Sequence, residues 1–234
     1  MLILPEQSLP MGVIVFASGR GSNARAIFDT ALDHPALINV VAVICNNPRA
    51  QVVNISASYG IPCHVIPVHR QSTLESTRVE HESRIHRVLE LYSWSYICLA
   101  GYMRIFTSDF VNRYPHPMFP VSRILNIHPS LLPAFKGCKG YEEAFQYGVE
   151  VSGVTVHFVS AEVDSGAILA QRAFVRLFDD GLTEFSARGL AIEHSLYSEV
   201  LLALASGSNN REESPFGMRI LQSSCQLSTA IADQ

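Results

Sequence analysis

The feature that most constrains this chain is an alternation of continuous apolar runs of strand length with polar segments of helical pattern. Gly12 to Ser18 (GVIVFAS), Ile38 to Cys45 (INVVAVIC) and Tyr96 to Ala100 (YICLA) are apolar on both faces, as strands covered on both sides must be. Ser22 to Ala31, residues 50–59 closed by Gly60, and residues 74–91 read as helices, with Ser22 or Asn23 as N-cap of the first. A short strand over 63–66 separates the last two. Strands that alternate with helices pair in parallel through right-handed crossovers. The expected fold class is therefore α/β: a single-domain, doubly wound (Rossmann-like), mostly parallel sheet with helices on both faces. From Ile124 the pattern changes. Ile124 to Ile127 runs into a proline-bordered loop, HPSLLPAFKG, and Val154 to Val159 and Ala167 to Val175 read as strands of a mixed C-terminal part. A helix over 183–205 follows. Residues 1–10 read as an N-terminal arm rather than a signal peptide, and 206–234 as a tail that adds an edge strand or stays mobile.

Composition narrows the partners. Hydrophobic residues make up 48% of the chain and charged residues 16%, so 234 residues suffice for a large core without staples. A formal net charge of −4 supplies no basic field for a nucleic acid. No apolar run approaches the roughly 18 residues that would suggest a membrane span. The five cysteines (Cys45, Cys63, Cys98, Cys138, Cys225) are scattered with no Cys-x-x-Cys pair and no zinc-like spacing. That pattern fits a reducing, cytoplasmic setting and no metal.

Ser18 to Asn23 (SGRGSN) joins the first strand to the first helix. Its glycines permit a tight turn, and the N–H groups that open the helix are free to hold an anion. Gly19, Gly21 and Ala24 also match Gly-x-Gly-x-x-Ala, the dinucleotide fingerprint, which wants a carboxylate near the end of the second strand. Here that end reads Cys45-Asn46-Asn47-Pro48, with no acid, and no Gly-Lys-Ser/Thr makes the loop a P-loop. A phosphomonoester is the better expectation, against the plainer reading of a ligand-free turn.

Asn126-Ile127-His128-Pro129 ends another strand. Residues two apart in an extended segment project to one side, so Asn126 and His128 can converge on one reacting atom. Asp164, in Val163-Asp164-Ser165-Gly166, is either a turn residue or a carboxylate that pairs with His128 and favours its imidazolium form. Alone, none of these is specific.

Together they are. The strings SGRGSN, LAGYMRI, ILNIHPSLLPAFKG, GVTVHFV with Asp164-x-Gly166, and Ile192-Glu193-His194 resemble the glycinamide ribonucleotide formyltransferases, in family order from about Val13 to Tyr197. The resemblance implies transfer of a formyl group from 10-formyltetrahydrofolate to the amine of glycinamide ribonucleotide in purine biosynthesis, within a formyltransferase domain over 11–205. It makes Asn126, His128 and Asp164 the catalytic trio, and gives the substrate phosphate to Gly21, Ser22 and Asn23. Glu193 takes the ribose. Met103, Arg104, Ile105 and Phe106 line the folate pocket, with Arg78 near the folate. A homodimer is compatible with this reading. Four departures stand out: extra residues over Pro115 to Ser122, Lys139 and Tyr141 where some members carry histidines, and Ser198 in place of a frequent proline. Formyltetrahydrofolate deformylases share Asn-x-His and the later Asp, without the Gly-Ser-Asn loop. Methionyl-tRNA formyltransferases add an RNA-binding domain, for which this chain shows no excess of Lys and Arg. A non-catalytic folate- or nucleotide-binding protein is the rival outside enzymes, and the intact trio argues against it.

Overall fold

The structure is a computed structural model that describes residues 9–206. Residues 1–8 of the expected arm and 207–234 of the expected tail lie outside the described residues. The elements in chain order are β1 (Met11–Ala17), α1 (Ser22–Asp33), β2 (Ile38–Cys45), α2 (Gln51–Ser58), β3 (Cys63–Val65), α3 (Leu74–Leu89), β4 (Tyr96–Leu99), α4 (Ser108–Asn112), β5 (Ile124–His128), α5 (Gly140–Tyr147), β6 (Val151–Phe158), β7 (Ile168–Val175) and α6 (Leu182–Ala205). They build one seven-stranded sheet in the order β3-β2-β1-β4-β5-β6-β7. Strands β1 to β5 run parallel. Strands β6 and β7 are antiparallel to their predecessors, which is the mixed C-terminal part.

Period-two alternation sends β1 into two cores. Val13, Val15 and Ala17 join Ile27 and Phe28 of α1, Val52 of α2 and Leu196, Tyr197 and Leu201 of α6 on one face. Ile14 and Phe16 face the other way, onto Ile85 and Leu89 of α3 and Phe110 and Val111 of α4. Chain order reverses between β1 and β4, and the carboxyl ends of these neighbours open the crevice where α/β sheets bind ligands.

Two short helices, α4 and α5, add to the elements expected from the sequence. The hydroxyl of Thr107 caps α4 by accepting from the Phe110 N–H at 3.2 Å. For α5 the signals are present, with Glu142 and Glu143 in the first turn and Gly148 closing it at φ 84°. One expectation is corrected. The N-cap of α1 is Gly21, in the left-handed region at φ 76°, and no side chain caps the helix. Asn23 is drawn elsewhere, as the site shows.

Candidate active site

Gly21 sits so close to α2 that a Cβ there would stand 2.8 Å from that of Val52, so only glycine makes this turn. The first helical N–H to find a carbonyl is that of Arg25, on Gly21 at 2.9 Å. Those of Ser22, Asn23 and Ala24 are left pointing out of the helix end, an arrangement suited to an anion. Ser18 ties this loop to the segment after β4: its N–H donates to Gly101 O at 3.1 Å, and its Oγ accepts from the Met103 N–H at 2.9 Å.

Asn126 and His128 project from the end of β5, and the loop behind them is locked by a buried network. Thr155 Oγ1 on β6 donates to Ser130 O at 2.7 Å and accepts from the Leu132 N–H at 3.1 Å. Gln171 Nε2 on β7 donates to Leu132 O at 2.9 Å. His128 is buried, with Nε2 2.8 Å from Phe135 O. A carbonyl only accepts, so that nitrogen carries a proton. Its Nδ1 lies 3.4 Å from Asp164 Oδ2.

Asp164 is brought there by a strained turn. It is a non-glycine residue at φ 50°, and its Oδ2 accepts from the Gly137 N–H at 2.8 Å. Two residues on, Gly166 presses against the end of β6, where a Cβ would stand 1.7 Å from Phe158 O. The Asp-x-Gly spacing thus has a steric cause: the glycine allows the close approach that aims the carboxylate.

His157, which the sequence reading passed over, completes the cluster. It faces Asn126 across the β5–β6 ladder. Its Nδ1 lies 2.9 Å from Phe158 O and so donates, which leaves Nε2 to accept from Asn126 Nδ2 at 3.2 Å. Asp164 Oδ1 is 3.7 Å from the same Nε2. Burial holds the His157 ring below the usual histidine range, outweighing the carboxylate's opposite pull. A neutral His157 fixes which end of the Asn126 amide faces the site.

Glu193 reaches the same region from α6. Its Oε2 accepts from Asn23 Nδ2 at 2.5 Å and its Oε1 from Tyr141 Oη at 2.6 Å. This is where the Asn23 side chain goes instead of capping α1. Burial pushes the Glu193 carboxyl up, while those two hydrogen bonds and the charge of His128 hold it down. Motifs assigned no role to His157, which lies inside an apolar strand, and marked Tyr141 only as a departure from the histidines some family members carry; the structure places both against candidate site residues.

The segment after β4 divides by side chain. Met103, Arg104 and Ile105 are exposed, whereas Phe106 is buried, stacked at 4.5 Å on Phe110. The Phe106 side chain belongs to the core beneath this segment. Glu82 of α3 holds this segment, accepting from the Thr107 N–H at 2.6 Å and its hydroxyl at 2.5 Å. Arg78 lies one helical turn before Glu82 on the same face of α3. The extra residues over 115–122 form one wall of a cavity of about 480 Å³ whose opposite wall includes Ser165, Gly166 and Ala167, beside Asp164. Among the described residues no cluster of three or more His, Cys, Asp or Glu could hold a metal ion, and no helix is long and apolar enough to cross a membrane.

A family model described as formyl transferase matches residues 11–201. The trifunctional purine biosynthetic protein adenosine-3 of Gallus gallus is 37% identical over 202 residues, 86% of this chain and 19% of that protein. The chain thus spans 14% to 19% of the length of the trifunctional relatives it matches. The phosphoribosylglycinamide formyltransferase of Bacillus subtilis (strain 168) is 35% identical over 85% of this chain and 96% of its own length. Among solved structures, glycinamide ribonucleotide transformylase 1 from Symbiobacterium toebii superposes with a TM-score of 0.78 at 33% identity, covering 87% of this chain and 92% of that one.

Proposed function

The chain belongs to the formyl transferase family, and from that premise we infer that it moves a formyl group from 10-formyltetrahydrofolate to the amine of glycinamide ribonucleotide, in purine biosynthesis. The observation that carries the reading is the meeting of Asn126, His128 and Asp164 at the end of β5, with an anion-ready helix end nearby. The 3.4 and 3.7 Å separations around Asp164 are longer than hydrogen bonds. Such gaps in an unliganded site tighten when a reacting atom enters.

In this mechanism Gly21, Ser22 and Asn23 hold the phosphate, and Glu193 accepts from the ribose hydroxyls. Met103 to Phe106, with Arg78, receive the folate. The substrate amine attacks the formyl carbon, forming a new C–N bond and leaving negative charge on the formyl oxygen. Asn126 has one N–H committed to His157 and a second free to donate to that oxygen. His128 donates as well, from Nδ1, which faces Asp164. Fixed donors of this kind are the largest expected catalytic contribution. Asp164, held by the Gly137 N–H, takes the proton the amine sheds, directly or through water. A proton is returned to the departing folate nitrogen as its bond to carbon breaks.

We also place the protein in the cytoplasm. The described cysteines are all free, and burial pushes the Cys98 thiol up to about 12, so it packs rather than reacts. A spectrophotometric transfer assay with glycinamide ribonucleotide, water and methionyl-tRNA as acceptors tests the function. Transfer to the ribonucleotide alone is expected. Equal or faster release to water would replace the reading with a deformylase.

A further inference from the structure

Glu193 is only 6% exposed in the middle of α6, and a carboxylate in that setting needs donors. It has two, from different elements: Asn23 on α1 and Tyr141 in the first turn of α5. Both are neutral. The Tyr141 ring is clamped edge-on by Phe174 and Phe185, with centroids 6.3 and 6.2 Å away. It lies against α6 where residue 189 is glycine, and a Cβ there would stand 2.4 Å from the ring. Gly189 and Glu193 are four residues apart, so one face of α6 makes room for the ring and then receives its hydroxyl.

From this arrangement we propose that Tyr141 is a substrate-positioning residue, whose phenol holds the Glu193 carboxylate in the orientation that receives the sugar hydroxyls of the phosphorylated acceptor. The inference rests on the reading of Glu193 as the sugar ligand. A carboxylate has about four lone-pair sites, so two protein donors leave two for a ligand. A cationic donor in place of Tyr141 would neutralise the carboxylate, whereas a phenol orients it and leaves its charge. Tyr141 remains a donor at any working pH, because burial and then the negative charge of Glu193 push its proton affinity far above the tyrosine range.

Tyr141→Phe keeps the ring and deletes the hydroxyl. Burial of Glu193 is then opposed only by Asn23 on α1 and the charge of His128 on β5, the remaining groups that act on it. Its carboxyl takes up a proton more readily and loses acceptor capacity. The KM for glycinamide ribonucleotide should rise about tenfold or more, the scale of one hydrogen bond to a charged group, with kcat and the KM for the formyl donor little changed. Because the Glu193 pKa rises in the variant, acceptor affinity should be lost at higher pH than in the wild type as pH falls. In a Glu193→Gln background the same substitution should add little. Unchanged KM in Tyr141→Phe across that pH range overturns the proposal, and so does a loss confined to kcat. Failure of the wild-type protein to transfer formyl to this acceptor, read before any variant is made, overturns the formyl-transfer reading and takes this inference with it.

Discussion

In the proposed mechanism the chemistry turns on Asp164, whose carboxylate lies 3.4 Å from His128, faces His157 and is anchored by the Gly137 N–H. Asp164→Asn keeps the shape and removes the charge. It should lower kcat about 100- to 1,000-fold, on the scale of one lost preorganised group, with the KM for glycinamide ribonucleotide little changed. If Asp164 works through His128, the double variant with His128→Ala should lose much less than the sum of the single losses in activation free energy. Additive losses in steady-state kinetics would separate the two residues. His157 permits a second comparison. His157→Leu removes the acceptor that orients Asn126, and kcat should fall about tenfold or more, the scale of one lost hydrogen bond left uncompensated in a site. Glutamine at 157 offers an oxygen near the Nε2 position, so His157→Gln should recover most of that loss. Equal impairment of both variants would assign His157 a packing role only.

At the scale of elements, the turn between β6 and β7 matters most, because the parallel half of the sheet cannot supply Asp164. The turn keeps its shape because Gly166 lies against the Phe158 carbonyl. Gly166→Ala forces the turn away from β6. Such overpacking typically costs about 1–3 kcal/mol of stability, and transfer activity should fall far more than the fraction unfolded accounts for. Denaturant unfolding beside the kinetic assay checks this. Activity that merely tracks the folded fraction would show that the turn tolerates displacement. Helix α3 gives a simpler case. Thr73 and Ser76 cap each other across its first turn, and Thr73→Ala should cost about 1 kcal/mol without changing kcat.

Across the whole molecule, the cores and the site share buried ionisable groups, and these set the pH response. His81 is 4% exposed, its Nε2 lies 2.7 Å from the Tyr102 hydroxyl, and burial with the charges of Arg104 and Arg84 lowers its pKa from 6.5 to about 4. The unfolded chain binds a proton there below 6.5 and the folded chain only near 4. The stability His81 contributes is therefore full above pH 6.5 and drains away as pH falls toward 4, on the order of 3 kcal/mol at most. Burial raises the carboxyls of Glu82 and Glu193, and they act in the opposite sense, losing stability as pH rises through their folded values. His81→Gln should flatten the acid limb of unfolding free energy against pH. An unaltered limb would assign acid sensitivity to other groups. The sequence by itself determined the strands, because continuous β-branched runs such as INVVAVIC bury both faces wherever they sit. It also placed the glycine loop and the Asn126–His128 pair at strand ends, because turn chemistry and period-two projection are local. Only the tertiary structure decided that Asn23 meets Glu193 across 170 residues of sequence, that His157 stands opposite Asn126, and that Tyr141 fits over Gly189. Those outcomes depend on strand register and on how α5 and α6 pack over the sheet, which no local pattern encodes.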